Sequence, residues 1–126
     1  MIHTIASEKA PKALGHYTQG QTDGHLIITS GQIPLVPETG ALVTEPAEAM
    51  TRVLSSLLAI VEAGGGSKET IARVDICLAD MSAFPAMNAA YSEFFGSHRP
   101  ARFVSEAKSL PAGAVLEASV LAFASA

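Results

Sequence analysis

A single cysteine, Cys77, stands in this chain of 126 residues. It excludes an intrachain disulfide and a cysteine-rich zinc site, and it points to a reducing, cytoplasmic setting. Basic residues are also scarce, with eight Lys and Arg against twelve Asp and Glu and a net charge of −4. No basic run is present, so the electrostatic footprint of a nucleic-acid binder is missing. No apolar run approaches the roughly 20 residues that a membrane helix needs. The start, MIHTIASEKAPK, has no basic segment leading into an apolar one, so no secretory signal is expected there. Walker loops, GxGxxG and HExxH are absent. His3, His16, His25 and His98 show no metal-ligand spacing such as HxH or HxxxH. Ser30 lacks a GxSxG context. No metal site is expected.

What is present is apolar. The chain is 48% hydrophobic, with a mean hydropathy of +0.32. Its length suits one domain covering residues 1–126, which buries roughly two thirds of its unfolded surface. Surplus apolar surface without a membrane segment predicts burial between subunits, hence a homo-oligomer.

Taken in order, Ile2, Thr4 and Ile5 predict a short first strand, and Pro11 and Gly15 mark an irregular link. The polar stretch from His16 to Thr22 can form a short strand. Asp23-Gly24 signals a hairpin turn, and HLIITS (His25–Ser30) is the clearest early strand. The segment GQIPLVPETG, Gly31–Gly40, reads as a loop. Thr44-Glu45-Pro46 offers a cap and a first-turn proline for a helix, whose apolar residues Ala49, Val53, Leu57, Ile60 and Val61 recur at helical spacing. Gly64-Gly65-Gly66 stops it. Ser67 and Glu69 suggest a brief helical turn. RVDICLA, Arg73–Ala79, alternates as a strand; Phe84–Phe95 is a second helix ended at Gly96. Two apolar strands joined by a Leu-Pro-x-Gly turn complete the segment from Arg99 to Phe123. This order predicts an α+β fold, with a mixed sheet covered on one face by two helices.

Two charges in that last segment need explaining, because charges are seldom buried without a partner or a task. Arg102 opens its strand behind Pro100. Glu117 sits among Val115, Leu116, Val120 and Leu121. They are either a structural pair, with Glu117 alternatively facing water, or working groups of a site.

Four segments then match a known family in its order and spacing. GHYTQG (around Tyr17–Gln19) resembles its G-P-Y-S-Q segment, and TSGQIP (Thr29–Pro34) its S-G-Q-I-P signature. NAAYSEFF (Asn88–Phe95) resembles N-x-x-Y-x-x-F-F, and PARFVSEAKSLPAGAVLE (Pro100–Glu117) its P-A-R … LP-x-GA-x-x-E ending. The chain thus resembles the Rid proteins, the reactive intermediate deaminases of the RidA or YjgF group, over nearly its whole length. The resemblance implies a chorismate-mutase-like α+β subunit, a homotrimer with clefts between subunits, and hydrolysis of 2-enamine or 2-imino acids such as 2-aminoacrylate to 2-keto acids and ammonia, without a cofactor. It implies Arg102 as the carboxylate anchor and Glu117 as the group that orients water and moves a proton. Tyr17, Ser30, Gly31, Asn88 and the backbone near Val104 are expected to line the cleft. Neither nucleic acid nor membrane is expected as a partner; some family members are named as ribonucleases, but the acidic balance argues against that activity here.

Two positions depart from the family pattern. His16 stands where proline is frequent, so the entry loop can differ in shape, and Val104 stands where cysteine is frequent, which removes a thiol from the cleft. A rival reading is a 2-aminomuconate-type deaminase, which needs a second cation, with Arg99 or Lys108 as candidates. Another is a non-catalytic module binding 2-keto acids or partner proteins.

Overall fold

A computed structural model describes residues 1–125. Six strands and two α-helices follow in the order β1 (His3–Ile5), β2 (Gly20–Thr22), β3 (Leu26–Thr29), α1 (Pro46–Ala63), β4 (Ile71–Leu78), α2 (Phe84–Phe95), β5 (Ala101–Glu106) and β6 (Leu116–Phe123). The sheet order is β1-β2-β3-β6-β4-β5, antiparallel throughout except for the parallel pair β4–β5. The fold is α+β with a mixed sheet, as the sequence predicts. The two strands of the Arg99–Phe123 segment do not pair with each other, however. β4 lies between them, because β5 returns through α2 to run parallel to β4 while β6 enters between β3 and β4.

The helices form where their signals lie. The Glu45 carboxylate, rather than Thr44, caps α1, accepting from the backbone N–H groups of Ala47 at 2.8 Å and Glu48 at 3.2 Å. Negative charge at this end also complements the helix dipole. Pro46 needs no partner for its nitrogen in the first turn. Gly64 ends the helix; a Cβ there would meet Ile5 Cδ1 at 2.7 Å. The turn expected around Ser67 is a single 3-10 turn over Lys68–Thr70, and Asp80 caps another over Met81–Ala83. Within the stretch from His16 to Thr22, only Gly20–Thr22 is strand.

The strands alternate between two environments. Val74, Ile76, Leu78, Leu116, Ala118 and Ala122 face the helices and are buried against Val53, Leu57, Ile60 and Met87. The other face carries Ile28, Phe103, Leu121 and Phe123 together with an exposed Arg73–Asp75 ion pair at 2.8 Å. Phe103 is 58% exposed and Ile28 46%. Part of the apolar surplus of the sequence is thus displayed on the open side of the sheet. Among the described residues no helix is long and apolar enough to cross a membrane, and no group of three or more His, Cys, Asp or Glu side chains could hold a metal ion.

Candidate functional site

The residues singled out from the sequence fall into two groups, one on each face of the sheet. Arg102 is the second residue of β5, an edge strand. It registers with Val74, so its side chain, like that of Val104 opposite Ile76, lies on the helix side. Phe84, Asn88 and Tyr91 of α2 project toward it, spaced one and two turns apart on a single helix face. Arg102 Nη1 donates to Asn88 Oδ1 at 2.8 Å. The guanidinium carbon lies 4.8 Å from the centre of the Tyr91 ring and 5.6 Å from that of Phe84. A cation held over two aromatic faces and tied by one neutral acceptor keeps its charge and most of its five donors for something else. A concavity of about 470 Å³ opens beside it, lined among others by Asn88, Tyr91, His98, Arg99 and Arg102.

Tyr91 is 7% exposed and stacks on Phe95 with ring centres 4.8 Å apart. Its hydroxyl is buried with no hydrogen-bond partner among the described residues. Burial pushes the phenol pKa up, opposed by the Arg102 charge beside it, so the ring meets the guanidinium as a neutral phenol.

Glu117 is the second residue of β6. It registers with Cys77, on the open face, while its neighbours Leu116 and Ala118 point to the helices. The chain segment after β3 clamps onto β6 beside it: Gln32 N donates to Ala118 O at 2.8 Å, and Ala118 N to Gln32 O at 3.1 Å. That brings Gly31 against the carboxylate. A Cβ at Gly31 would lie 2.9 Å from Glu117 Oε2 and 3.0 Å from its Cδ. The resemblance places Gly31 in the cleft lining; in the structure its missing side chain makes room for Glu117. Tyr17, Ser30, Gly31 and Glu117 line one concavity of about 360 Å³. Ser30 Oγ donates to Thr18 O at 2.6 Å and Ser30 N to Gln19 O at 2.9 Å, which ties the Tyr17 loop to the end of β3. Tyr17 is half exposed.

One residue without an assigned role from the sequence organises this loop. Gln19 is buried; its Oε1 accepts from Ser7 N at 2.6 Å, and its Nε2 donates to the carbonyls of Ser7, Ala10 and Pro11 at 3.1, 3.3 and 2.8 Å. No local pattern announces a glutamine that ties together backbone a dozen residues away. Phe84 and Tyr91 read as apolar helix residues; only their spacing from Asn88 hints at a cradle.

Arg102 and Glu117 therefore point to opposite sides of their own sheet. The only ion pair among the described residues is Arg73–Asp75. A structural Arg102–Glu117 pair within the chain is ruled out. Val104 is half buried and packs against the edge of the core. Of the two extra cations suggested by the sequence, Arg99 lines the concavity with Arg102, and Lys108 lines neither half-site.

Fold and site together define a small α+β protein, with an unpaired, aromatic-backed arginine on the helix side of its sheet and a loop-enclosed carboxylate on the open side. A family profile described as Endoribonuclease L-PSP matches residues 7–124. The chain belongs to this family, the YjgF/RidA proteins. It is 39% identical over 125 residues to a 2-iminobutanoate/2-iminopropanoate deaminase of Escherichia coli, covering 97% of this chain and 98% of that one. It is also 39% identical over 120 residues to a RutC family protein of Pyrococcus abyssi, covering 94% of each. Among solved structures, E. coli TdcF with bound serine superposes with a TM-score of 0.94 at 32% identity, covering 98% of this chain and 99% of that chain.

Proposed function

We propose that this protein hydrolyses reactive 2-enamine and 2-imino acids to 2-keto acids and ammonia, in the cytoplasm and as a homotrimer, without a cofactor. The observation that carries the reading is Arg102: a cation held by Asn88 and two rings, in no ion pair among the described residues. Such a fork suits bidentate binding of a substrate carboxylate. The relative named as an iminobutanoate deaminase supports the substrate class. The net charge of −4 and the lack of a basic run weigh against RNA as substrate.

The chemistry follows from the two half-sites. Arg102 holds the carboxylate next to the C=N carbon; the backbone at Val104, along the free edge of β5, extends the contact. Water, oriented by Glu117, adds to that carbon. Proton transfer to nitrogen then lets the C–N bond break, so imine and water yield keto acid and ammonia with no change of redox state. Tyr17, Ser30 and Gly31 shape the water side, and Asn88 fixes the anchor. Since Arg102 and Glu117 point to opposite faces of one sheet, the site is completed by bringing the Arg102 side of one copy against the Glu117 side of the next.

The test is ammonia and keto-acid release from imines generated in situ by an amino-acid oxidase. Arg102→Ala loses roughly 30-fold to several thousand-fold in kcat/KM, as expected for a lost, desolvated charge contact. Mixing inactive Arg102→Ala with inactive Glu117→Gln restores activity, because intact composite sites form between unlike copies. Full activity in Arg102→Ala, or no recovery on exchange of subunits, rejects the reading.

A further inference from the structure

The concavity beside Arg102 contains a feature that a simple imine does not use. Arg99 lines it as well, and none of the residues lining it is acidic. Neither guanidinium has a carboxylate partner among the described residues, whose one ion pair is Arg73–Asp75. Asn88 takes one donor of Arg102, and Arg99 is exposed. Three residues of chain span at most about 10 Å, and Pro100 restricts the backbone between the two. Two unpaired cations lining one acid-free hollow, in a protein of net charge −4, form a local site for a dianion.

We infer that Arg99 is a specificity residue that binds the second carboxylate of a dicarboxylic 2-imino acid, so that this chain favours imines of amino dicarboxylic acids over those with neutral side chains. The inference rests on the deaminase reading above. Arg102 holds the carboxylate adjacent to the imine, and Arg99 holds the one at the far end of the side chain. The reaction is unchanged: the imine carbon gains the oxygen of water, nitrogen leaves as ammonia, and both carboxylates persist in the keto diacid. The reaction that supplies the substrate must therefore oxidise, or eliminate from, an amino dicarboxylic acid. Because the far carboxylate does not change during hydrolysis, Arg99 contributes equally to ground-state and transition-state binding, and its loss falls on KM rather than kcat.

The experiment compares wild type, Arg99→Gln and Arg99→Lys on imines made in situ from aspartate or glutamate and from alanine or leucine. Binding of 2-oxoglutarate and of 2-oxobutanoate is measured by calorimetry on the same proteins. The expected result is a dicarboxylic-to-neutral ratio of kcat/KM that falls about ten- to a hundred-fold in Arg99→Gln, mostly through KM, and is partly restored by lysine. Hydrolysis of neutral imines with an unchanged ratio in Arg99→Gln overturns the role of Arg99 and leaves the deaminase reading standing. If no imine is hydrolysed, tighter binding of 2-oxoglutarate that disappears in Arg99→Gln upholds the second anchor and rejects the deaminase. Equal binding of the two keto acids by wild type rejects the anchor in either case.

Discussion

Replacing Gly31 by alanine separates a site role from a folding role within a single methyl group. The added Cβ would stand 2.9 Å from Glu117 Oε2, where ordinary van der Waals contact begins at 3.4 Å, so the carboxylate must retreat by at least 3.4 − 2.9 = 0.5 Å. The obstructing atoms are the end of a flexible, half-buried side chain, and Gly31 does not occupy the left-handed region. Rotation of Glu117 therefore relieves the clash cheaply, and the loss of glycine's freedom in the unfolded chain offsets it by about 0.4–1 kcal/mol. Stability is expected to stay within about 1 kcal/mol of wild type, or roughly 5 °C in Tm. If Glu117 orients the water as proposed, activity responds differently, because displacing such a group by about 1 Å costs on the order of a hundred-fold. Imine hydrolysis is expected to fall ten- to a hundred-fold in kcat while the thermal midpoint barely moves. Gly20→Ala is the control: there the Cβ would meet the backbone oxygen of Ile28 at 2.9 Å, which cannot rotate away, so the midpoint falls. Undiminished turnover in Gly31→Ala would show that the orientation of Glu117 does not matter to the reaction.

Three further outcomes follow from the same geometry. Asn88→Ala removes the acceptor that holds exposed Arg102 and should lower kcat/KM about ten-fold with less than about 0.5 kcal/mol lost in urea unfolding; equal loss of both would make the contact structural. Tyr91→Phe deletes a buried hydroxyl with no partner among the described residues and should raise the thermal midpoint, by up to about 1 kcal/mol of stability; a clear drop would reveal a partner for that hydroxyl. Asp23 accepts from Leu26 N and His25 N, and Asp80 from Ser82 N; these bonds hold both carboxyls below their ordinary value of 3.8. A depressed folded pKa gives stability that is fully present above pH 3.8 and is lost as the pH falls through the folded values. The Asp23→Asn, Asp80→Asn double variant should therefore show a shallower fall of the urea midpoint below pH 4, and an unaltered acid limb would refute this.

Much of this was legible in the chain because local physics decides it. The broad apolar face of α1, its proline and its glycine stop define the helix without reference to anything distant. The alternation of Val74, Ile76 and Leu78 likewise defines β4. Pairing is another matter. Nothing near Leu110 says that β4, thirty residues earlier, will part the two strands on either side of that turn, because register depends on contacts between remote segments. The same limit governs the site. The residue types at 102 and 117 are suggestive in sequence, but that they face opposite ways follows from counting alternation in two strands that meet only through a third. Tyr91 and Phe84 were hidden by their apolarity, since a ring that backs a cation looks, in sequence, like a ring that fills a core. Gln19 was hidden because its four backbone partners are reached only after the loop has closed around it.

The placement of β6 bears on how the chain comes to be folded at all. It is the last of the described strands in chain order, yet it occupies the middle of the sheet, with β3 on one side and β4 on the other. Until residues 116–123 have been synthesised, the sheet exists only as two separate pieces, β1-β2-β3 and β4-β5, each with an open apolar edge. Folding must then be a late, concerted closure over long sequence separations rather than a gradual growth from the start, and such closures are slow. During that interval the unfilled slot offers unpaired backbone to any strand that arrives first, including β6 of a second chain. The growing chain is therefore most exposed to misassembly just before β6 is made.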